Sequence, residues 1–403
     1  MFHNKWNYLT FLIKIITILI IFVSLISYPK DVFEASLRGL NTWWTIVFPA
    51  LLPFFIMSEL LVALGIVNFL GILLEPVMRP LFNLPGPAAF VLAVGYTSGA
   101  PISSMVTANL RNQGLVSKNE AERIICFTNN ASPLFMFGAV AVGMFNRPEL
   151  GIIIAGSHYL ANILLGIALR FWKRDGDYMH YNSQEKAFKR AFETLVTTQK
   201  TQIKPFGKLL GDAIKNSVHT LLLIGGFIIL FSVFIELLTI FYIIEYLSLL
   251  LCFIFTPFML DINLAQGIAS GLIEMTIGSK LIIDSAAPLN LKVAAVSLVL
   301  GWSGLSIHAQ ALSMISNTDI SFFPFIVARI FHGIMAAGLS LIIFNPAISA
   351  FSGSVFPFYN FNSFHFSLIS LACFCGILII MIICSMIFRV LNNLRFIWPF
   401  RSH

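Results

Sequence analysis

Apolar residues fall along this chain in long blocks, and polar residues gather at the block ends or at a few breaks inside them. The first block, Leu9 to Ser27, is interrupted only by Lys14. About 20 apolar residues span a bilayer, so it reads as one crossing helix. Its apolar core is longer than that of a secretory leader and no small-residue cleavage site follows, which predicts a retained helix with a cytoplasmic N-terminus. The block from Trp43 to Met78 is too long for one crossing. Pro49, Pro53 and Gly65 break it, and Glu59 sits in its middle. Two short helices joined by a polar turn fit it better than one long helix, and a hairpin that enters and leaves on one side is compatible with it. Non-helical backbone survives at membrane depth only under cover of protein or a water-filled cavity.

Pro85 to Leu110 is opened by Gly95-Tyr96-Thr97-Ser98-Gly99-Ala100-Pro101. Ser117 and Glu120 then read as a capping box that starts the next helix. That helix carries Thr128-Asn129-Asn130-Ala131-Ser132-Pro133, where Pro133 removes a backbone donor and predicts an unwound turn. Leu150 to Trp172 is a further crossing, with His158 and Asn162 four residues apart on one face. Beyond Asp212, apolar runs recur at about His219–Ile244, Tyr246–Leu260, Leu264–Ile283, Leu291–Ile315 and Phe323–Phe344, with a last crossing at about Phe366–Phe388. Arg389, Arg395 and Arg401 follow it and place the C-terminus in the cytoplasm.

The two halves resemble each other. Glu59-Leu60-Leu61 matches Glu236-Leu237-Leu238, and Arg38 precedes the first Glu at the distance at which Lys215 precedes the second. Pro76 has a counterpart in Pro257. Tyr96-Thr97-Ser98-Gly99 lies near Met275-Thr276-Ile277-Gly278, Thr128–Ser132 opposite Trp302–Ser306, and His158 opposite His332. The pattern predicts a helix at 1–35, one membrane repeat over 36–172, a connector over 173–212, a second repeat over 213–345, and a helix with a basic tail over 346–403. Many secondary transporters are built from two such repeats, with their sites on broken helices at the midplane.

Composition agrees with this picture. The chain has 403 residues, 58% apolar and only 11% charged. A soluble chain carries about 25% charge, so an all-α polytopic membrane protein is predicted and a soluble enzyme or nucleic-acid binder is excluded. The net charge of +7 belongs to loops rather than to a nucleic-acid surface. Lys173 to Lys208 holds eight Lys/Arg and four Asp/Glu, reads as a cytoplasmic connector, and predicts a helical piece around Glu185–Glu193. The five cysteines form no CxxC pair, and no metal set, cofactor motif, Walker A, HExxH or GxSxG sequence is present.

Polar residues at membrane depth are costly and tend to be functional. Ser303, Ser306, His308 and Gln310 form the densest uncharged cluster, suited either to a wet cavity or to helix–helix packing. Asn129, Asn130 and Ser132 form its first-half counterpart, and Ser98 marks the break before it. Arg329 and His332 share a helix face. An arginine that deep needs a snorkelling path or an anion, either a carboxylate substrate or one of Glu236, Glu274 and Asp319. Glu59 and Glu236 are candidates for ion coupling by position, or for pairing with Arg or Lys across the repeat. His158 reads as a hydrogen-bonded interior histidine.

The stretch Phe48-Pro49-Ala50-Leu51-Leu52-Pro53-Phe54-Phe55-Ile56-Met57-Ser58-Glu59-Leu60-Leu61 resembles the YlbJ-type sporulation integral membrane proteins. So do Leu74-Glu75-Pro76-Val77-Met78-Arg79-Pro80, Glu120-Ala121-Glu122-Arg123, Phe127-Thr128-Asn129 and Gly301-Trp302-Ser303-Gly304-Leu305-Ser306-Ile307-His308-Ala309-Gln310. At Gly99-Ala100-Pro101 the chain departs from the family's Gly-Asn-Pro-like break, so no site role passes to Ala100. The resemblance implies membership of the nucleoside-recognition (Gate) group and an inverted repeat of broken helices and re-entrant hairpins, like the core of concentrative nucleoside transporters. It also implies movement of dipicolinic acid from the mother cell toward the forespore across the outer forespore membrane. Dipicolinate is a flat aromatic dianion, and Asn, Ser, His and Arg are chemically apt for it. A nucleoside transporter and a non-transporting scaffold for spore assembly are the competing readings. The lipid bilayer is the expected surrounding, and homo-oligomerisation is left open.

Overall fold

A computed structural model describes residues 2–66, 78–97, 99–173, 205–255 and 261–344, together with 69, 72, 192, 193 and 195. Ser98, Pro257, Pro76, most of the connector with its predicted helical piece, and the last crossing with the basic tail lie outside the described residues.

All regular structure among the described residues is helical. Helix α1 (Phe2–Ser27) ends at Tyr28, and Pro29 starts α2 (Pro29–Thr42) after a bend of 98°. Proline suits a first helical turn, where its missing N–H has no partner to lose. A π-helical turn, Trp43–Val47, leads directly into α3 (Phe48–Ala63). Glu59 therefore lies inside a helix, and the expected polar turn falls later, at Leu64-Gly65, where Gly65 takes φ +75°. Helices α4 (Pro87–Thr97) and α5 (Ile102–Asn112) form a broken pair. The predicted capping box opens α6 (Lys118–Thr128): Glu120 N donates to Ser117 Oγ at 3.2 Å and Ser117 N to Glu120 Oε2 at 2.8 Å. A π-helical segment, Phe135–Met144, and α7 (Leu150–Leu169) complete the first half.

The second half opens with α8 (Phe206–Ile240), 35 residues long, and α9 (Ile243–Ile254). Two broken helices follow: α10 (Ile262–Ile273) with α11 (Met275–Asp284), and α12 (Leu289–Trp302) with α13 (Gly304–Ile315). Helix α14 (Phe323–Ile343) ends the described chain. Four helical stretches, Leu150–Leu169, Phe206–Ile240, Leu289–Ile315 and Phe323–Ile343, are long and apolar enough to cross a membrane, and the bent α1–α2 pair could make a fifth.

Helix α8 lies against α2 and α3. Ser232 Oγ donates to Ala35 O at 2.8 Å, and Trp43 Nε1 donates to Leu221 O at 2.9 Å. Further along, Asn216 Nδ2 donates to Glu59 Oε2 at 3.0 Å, so the two run antiparallel. Gly225 makes room for the Trp43 indole. Apolar side chains such as Phe22, Leu223, Phe253, Ile334 and Ile342 face outward. Such a belt suits lipid and would be a liability in water. The main core joins Trp43, Leu51, Phe135 and Ile154 to Leu221, Ile228, Leu264 and Val296 from the second half. The cross-half packing leaves the helix breaks stacked at the centre.

Candidate functional site

Each half carries two breaks, and they meet in pairs. In the first half, Gly99 takes φ +78°, the Ala100–Pro101 bond is cis, and Ala100 N donates to Asn130 O at 2.9 Å. A Cβ at Gly99 would sit 3.0 Å from Asn130 O and Ser132 N, so this position needs glycine for its backbone angle and for space. In the second half, Glu274 is the extended residue between α10 and α11, and its carboxylate caps α11 by accepting from Ile277 N at 2.7 Å. Ser303 and Gly304 take φ +77° and +73° between α12 and α13. A Cβ on Gly304 would lie 2.9 Å from Met275 N. Trp302 Nε1 donates to Leu272 O at 2.8 Å and ties the two breaks together.

The breaks enclose a cavity of about 60 Å³. Ala100, Asn130 and Ser132 reach it from the first half, and Glu274, Thr276, Ser303, Ser306 and Gln310 from the second. Val47, Leu51, Phe55 and Phe135 close one wall, and Ile224, Phe227 and Ile228 another. A few polar groups in an otherwise apolar concavity is the usual make-up of a small-molecule site. Glu274 is the only ionisable side chain among those lining residues and is 3% exposed.

Asn130, Ser132, Ser303, Ser306 and Gln310 thus reach the cavity, while Asn129, His308, Arg329 and His332 stand behind it. Asn129 is fully buried; its Oδ1 accepts from Ser103 Oγ at 2.8 Å and its Nδ2 donates to Ser104. His308 stacks on Trp302 with centroids 4.2 Å apart, and its Nδ1–H donates to Gly304 O at 2.8 Å. His332 Nε2–H donates to His158 O at 2.9 Å.

Arg329 departs from expectation: none of the three acids proposed as its partner reaches it. Its Nη1 donates to Asn129 O at 2.7 Å and its Nη2 to Cys126 O. Glu236 pairs instead with Arg38, Asp319 with Arg111 (2.8 Å), and Glu274 caps α11. The carbonyls at the end of α6 carry the negative end of a helix dipole, so a buried guanidinium is satisfied there without a carboxylate. His158 and Tyr159 act alongside it. Ala131 N donates to His158 Nε2 at 3.3 Å, and Tyr159 OH donates to Ala131 O at 3.2 Å. These side chains supply the partners that unwound Asn129–Ala131 backbone lacks at membrane depth. Glu59 and Glu236 sit on the α3–α8 and α2–α8 contacts and do not line the cavity.

Sequence reasoning passed over Glu274 as a site residue. Its signal was of the same kind as that of Glu59 and Glu236, a single acid inside an apolar run, but only packing shows which acid faces the cavity. Outside the membrane-spanning segments, the Arg111 guanidinium beside Asp319 holds that carboxyl below its usual range.

Long apolar helices with an apolar outer face, surrounding helix breaks and a small, mostly apolar cavity with a few polar groups, define an integral membrane protein with several crossings. Residues 44–148 match the family model described as "Gate: Nucleoside recognition". The chain is 45% identical over 330 residues to the sporulation integral membrane protein YlbJ of Bacillus subtilis, covering 81% of each chain. It is also 30% identical over 116 residues to an uncharacterized protein of Alkalihalophilus pseudofirmus, covering 27% of this chain and 25% of that one. No solved structure matches it. The chain belongs to the YlbJ family of sporulation integral membrane proteins.

Proposed function

We propose that the chain is a sporulation transporter that moves dipicolinic acid from the mother cell toward the forespore across the outer forespore membrane. Its halves, 36–172 and 213–345, are inverted repeats of one unit resembling the core of concentrative nucleoside transporters. The observation that carries this reading is the cavity, built where breaks from both halves meet.

Several correspondences support the repeat. Sliding the first half along the chain so that Pro29 falls on Phe206 brings Ala63 onto Ile240, so the continuous run α2–α3 has the length of α8. The same shift brings Gly65 onto Tyr242, and both take positive φ. It brings Val47 onto Ile224 and Leu51 onto Ile228, and all four line the cavity. Arg38 falls on Lys215 and Glu59 on Glu236. Arg38 pairs with Glu236, and reciprocally Asn216, the neighbour of Lys215, binds Glu59. Equivalent helices that run antiparallel are what an inverted repeat requires. In the later part, bringing His158 onto His332 puts Ser132 on Ser306 and Ala100 on Glu274, again cavity residues.

The site's amide N–H and hydroxyl groups can donate to two carboxylates, and Phe55, Phe135 and Phe227 offer apolar surface to a flat ring. A cavity of about 60 Å³ has room for a few waters, so admitting a pyridine dicarboxylate requires the wall of α3 and α8 to move. Movement of one set of helices against another around a fixed site is the usual transport cycle of repeat-built carriers. The Gate match favours a second reading, a nucleoside as cargo. Ligand-dependent unfolding in detergent separates the two, because a ligand bound only by the folded form raises its stability. Dipicolinate is expected to raise the melting temperature, and uridine or adenosine at equal concentration is not. The reverse would make the protein a nucleoside carrier, and stabilisation by neither would favour a scaffold.

A further inference from the structure

A dianionic cargo fits poorly with the charge lining this cavity. No lining residue is a lysine, arginine or histidine, and one, Glu274, is an acid. Arg329, which could have balanced the cargo, is bound to the carbonyls of Cys126 and Asn129. An ionised Glu274 would repel a dicarboxylate across an apolar-walled space, where charges are weakly screened. A neutral carboxylic acid would instead donate a hydrogen bond to it.

The repeat sharpens the point. Glu274 corresponds to Ala100, so the acid exists in one half only, at the same place in the cavity wall. Its Oε2 is held by Ile277 N, at the start of a helix that begins at the break. Ionisable groups on the surrounding elements are engaged or exposed elsewhere. Lys280 pairs with Asp284, Lys292 donates to Ile283 O, His308 donates to Gly304 O, and Glu236 pairs with Arg38. On α8 and α9, Lys208, Lys215, His219 and Glu245 are exposed. The π-helical segment facing α11 carries no ionisable group.

We infer that Glu274 is the coupling residue: it takes a proton from one side of the membrane, binds the dicarboxylate in its acid form, and releases the proton with the cargo on the other side. Each dianion then crosses with one proton added to the complex and one lost from it, and no bond other than O–H is made or broken. This moves the coupling role away from Glu59 and Glu236, and it rests on the dicarboxylate reading above.

The test is accumulation of labelled dipicolinate in proteoliposomes with the membrane potential clamped at zero and the outside one pH unit more acidic. One proton per cargo raises the internal level up to about tenfold over that without a gradient, since tenfold corresponds to one pH unit of driving force. Glu274→Gln is expected to exchange labelled for unlabelled dipicolinate more slowly than the wild type and to gain nothing from the gradient. Glu274→Asp is expected to keep part of the gain. A Glu274→Gln protein with the wild-type gradient response overturns the inference while leaving dipicolinate as cargo. A monodisperse Glu274→Gln protein that neither exchanges nor accumulates overturns it too, by making Glu274 a positioning group. A wild type that takes up no dipicolinate under either condition overturns the dicarboxylate reading, and this inference with it.

Discussion

Arg329 shows how a residue's chemistry can be read correctly and its partner wrongly. An intramembrane guanidinium demands an acceptor, and sequence alone offered three acids and a substrate. The structure supplies two carbonyls, of Cys126 and Asn129, at the C-terminal end of α6. The arginine holds the carbonyl of Asn129, the residue before Asn130 at the cavity wall. Arg329→Met leaves both buried carbonyls short of a donor, at about 1–3 kcal/mol each. Its melting temperature in detergent is expected to fall clearly, with Arg329→Lys between it and the wild type. If instead Arg329→Met melted like the wild type and lost only substrate affinity, the arginine would be a substrate clamp after all. The cluster Ser303–Gln310 was legible because uncharged polar residues stand out in an apolar run. Which of its members face the cavity was not, because Ser303 at φ +77° redirects the helix that follows.

At the level of elements, the breaks were the most legible feature. Gly99 and Pro133 mark two of the four breaks in sequence, and the third falls in the polar cluster at Ser303-Gly304, inside a run that reads as one apolar block. The fourth, at Glu274, has neither glycine nor proline at the break itself and is made by an acid that caps α11. Conversely, Pro49 and Pro53 suggested a broken first block, yet the chain stays helical to Ala63. Pro49 lies in the first turn of α3, and a π-helical turn precedes it. Gly304 combines a left-handed backbone with close approach to Met275. Gly304→Ala is expected to cost about 1–3 kcal/mol from the strained backbone alone. Thermal unfolding checks the loss, and an unchanged melting temperature would mean that the α12–α13 break relaxes at no cost.

For the molecule as a whole, the all-helical membrane class followed from patterning alone. The antiparallel pairing of α2–α3 with α8 did not, because residues far apart in sequence make it and no periodicity encodes them. Polar ties also join the halves outside the spans, through Arg111 with Asp319 and through Ser321 N, which donates to Glu122 Oε1 at 3.1 Å. Asp319 is held below its ordinary carboxylate range by Arg111. A carboxylate with a lowered folded pKa adds stability that is present above its unfolded value and is lost as pH falls through the folded one. This contribution is therefore expected to shrink as pH falls below about 4, and to be small, because the pair is exposed. Asp319→Asn should lower the melting temperature slightly at pH 7 and by less near pH 3. An equal loss at both values would assign the effect to packing.

The central claim is that cargo passes through the cavity shared by the two halves. Its most direct measurement is initial uptake of labelled dipicolinate into proteoliposomes by the wild type and by Ser306→Ala, which removes the hydroxyl from the cavity wall and adds no bulk. Wild-type uptake that falls about tenfold in Ser306→Ala, in a protein of unchanged melting temperature, is the predicted result, in line with the loss of one polar contact to a charged group. Equal uptake by the two proteins would place the transport path elsewhere and contradict the account.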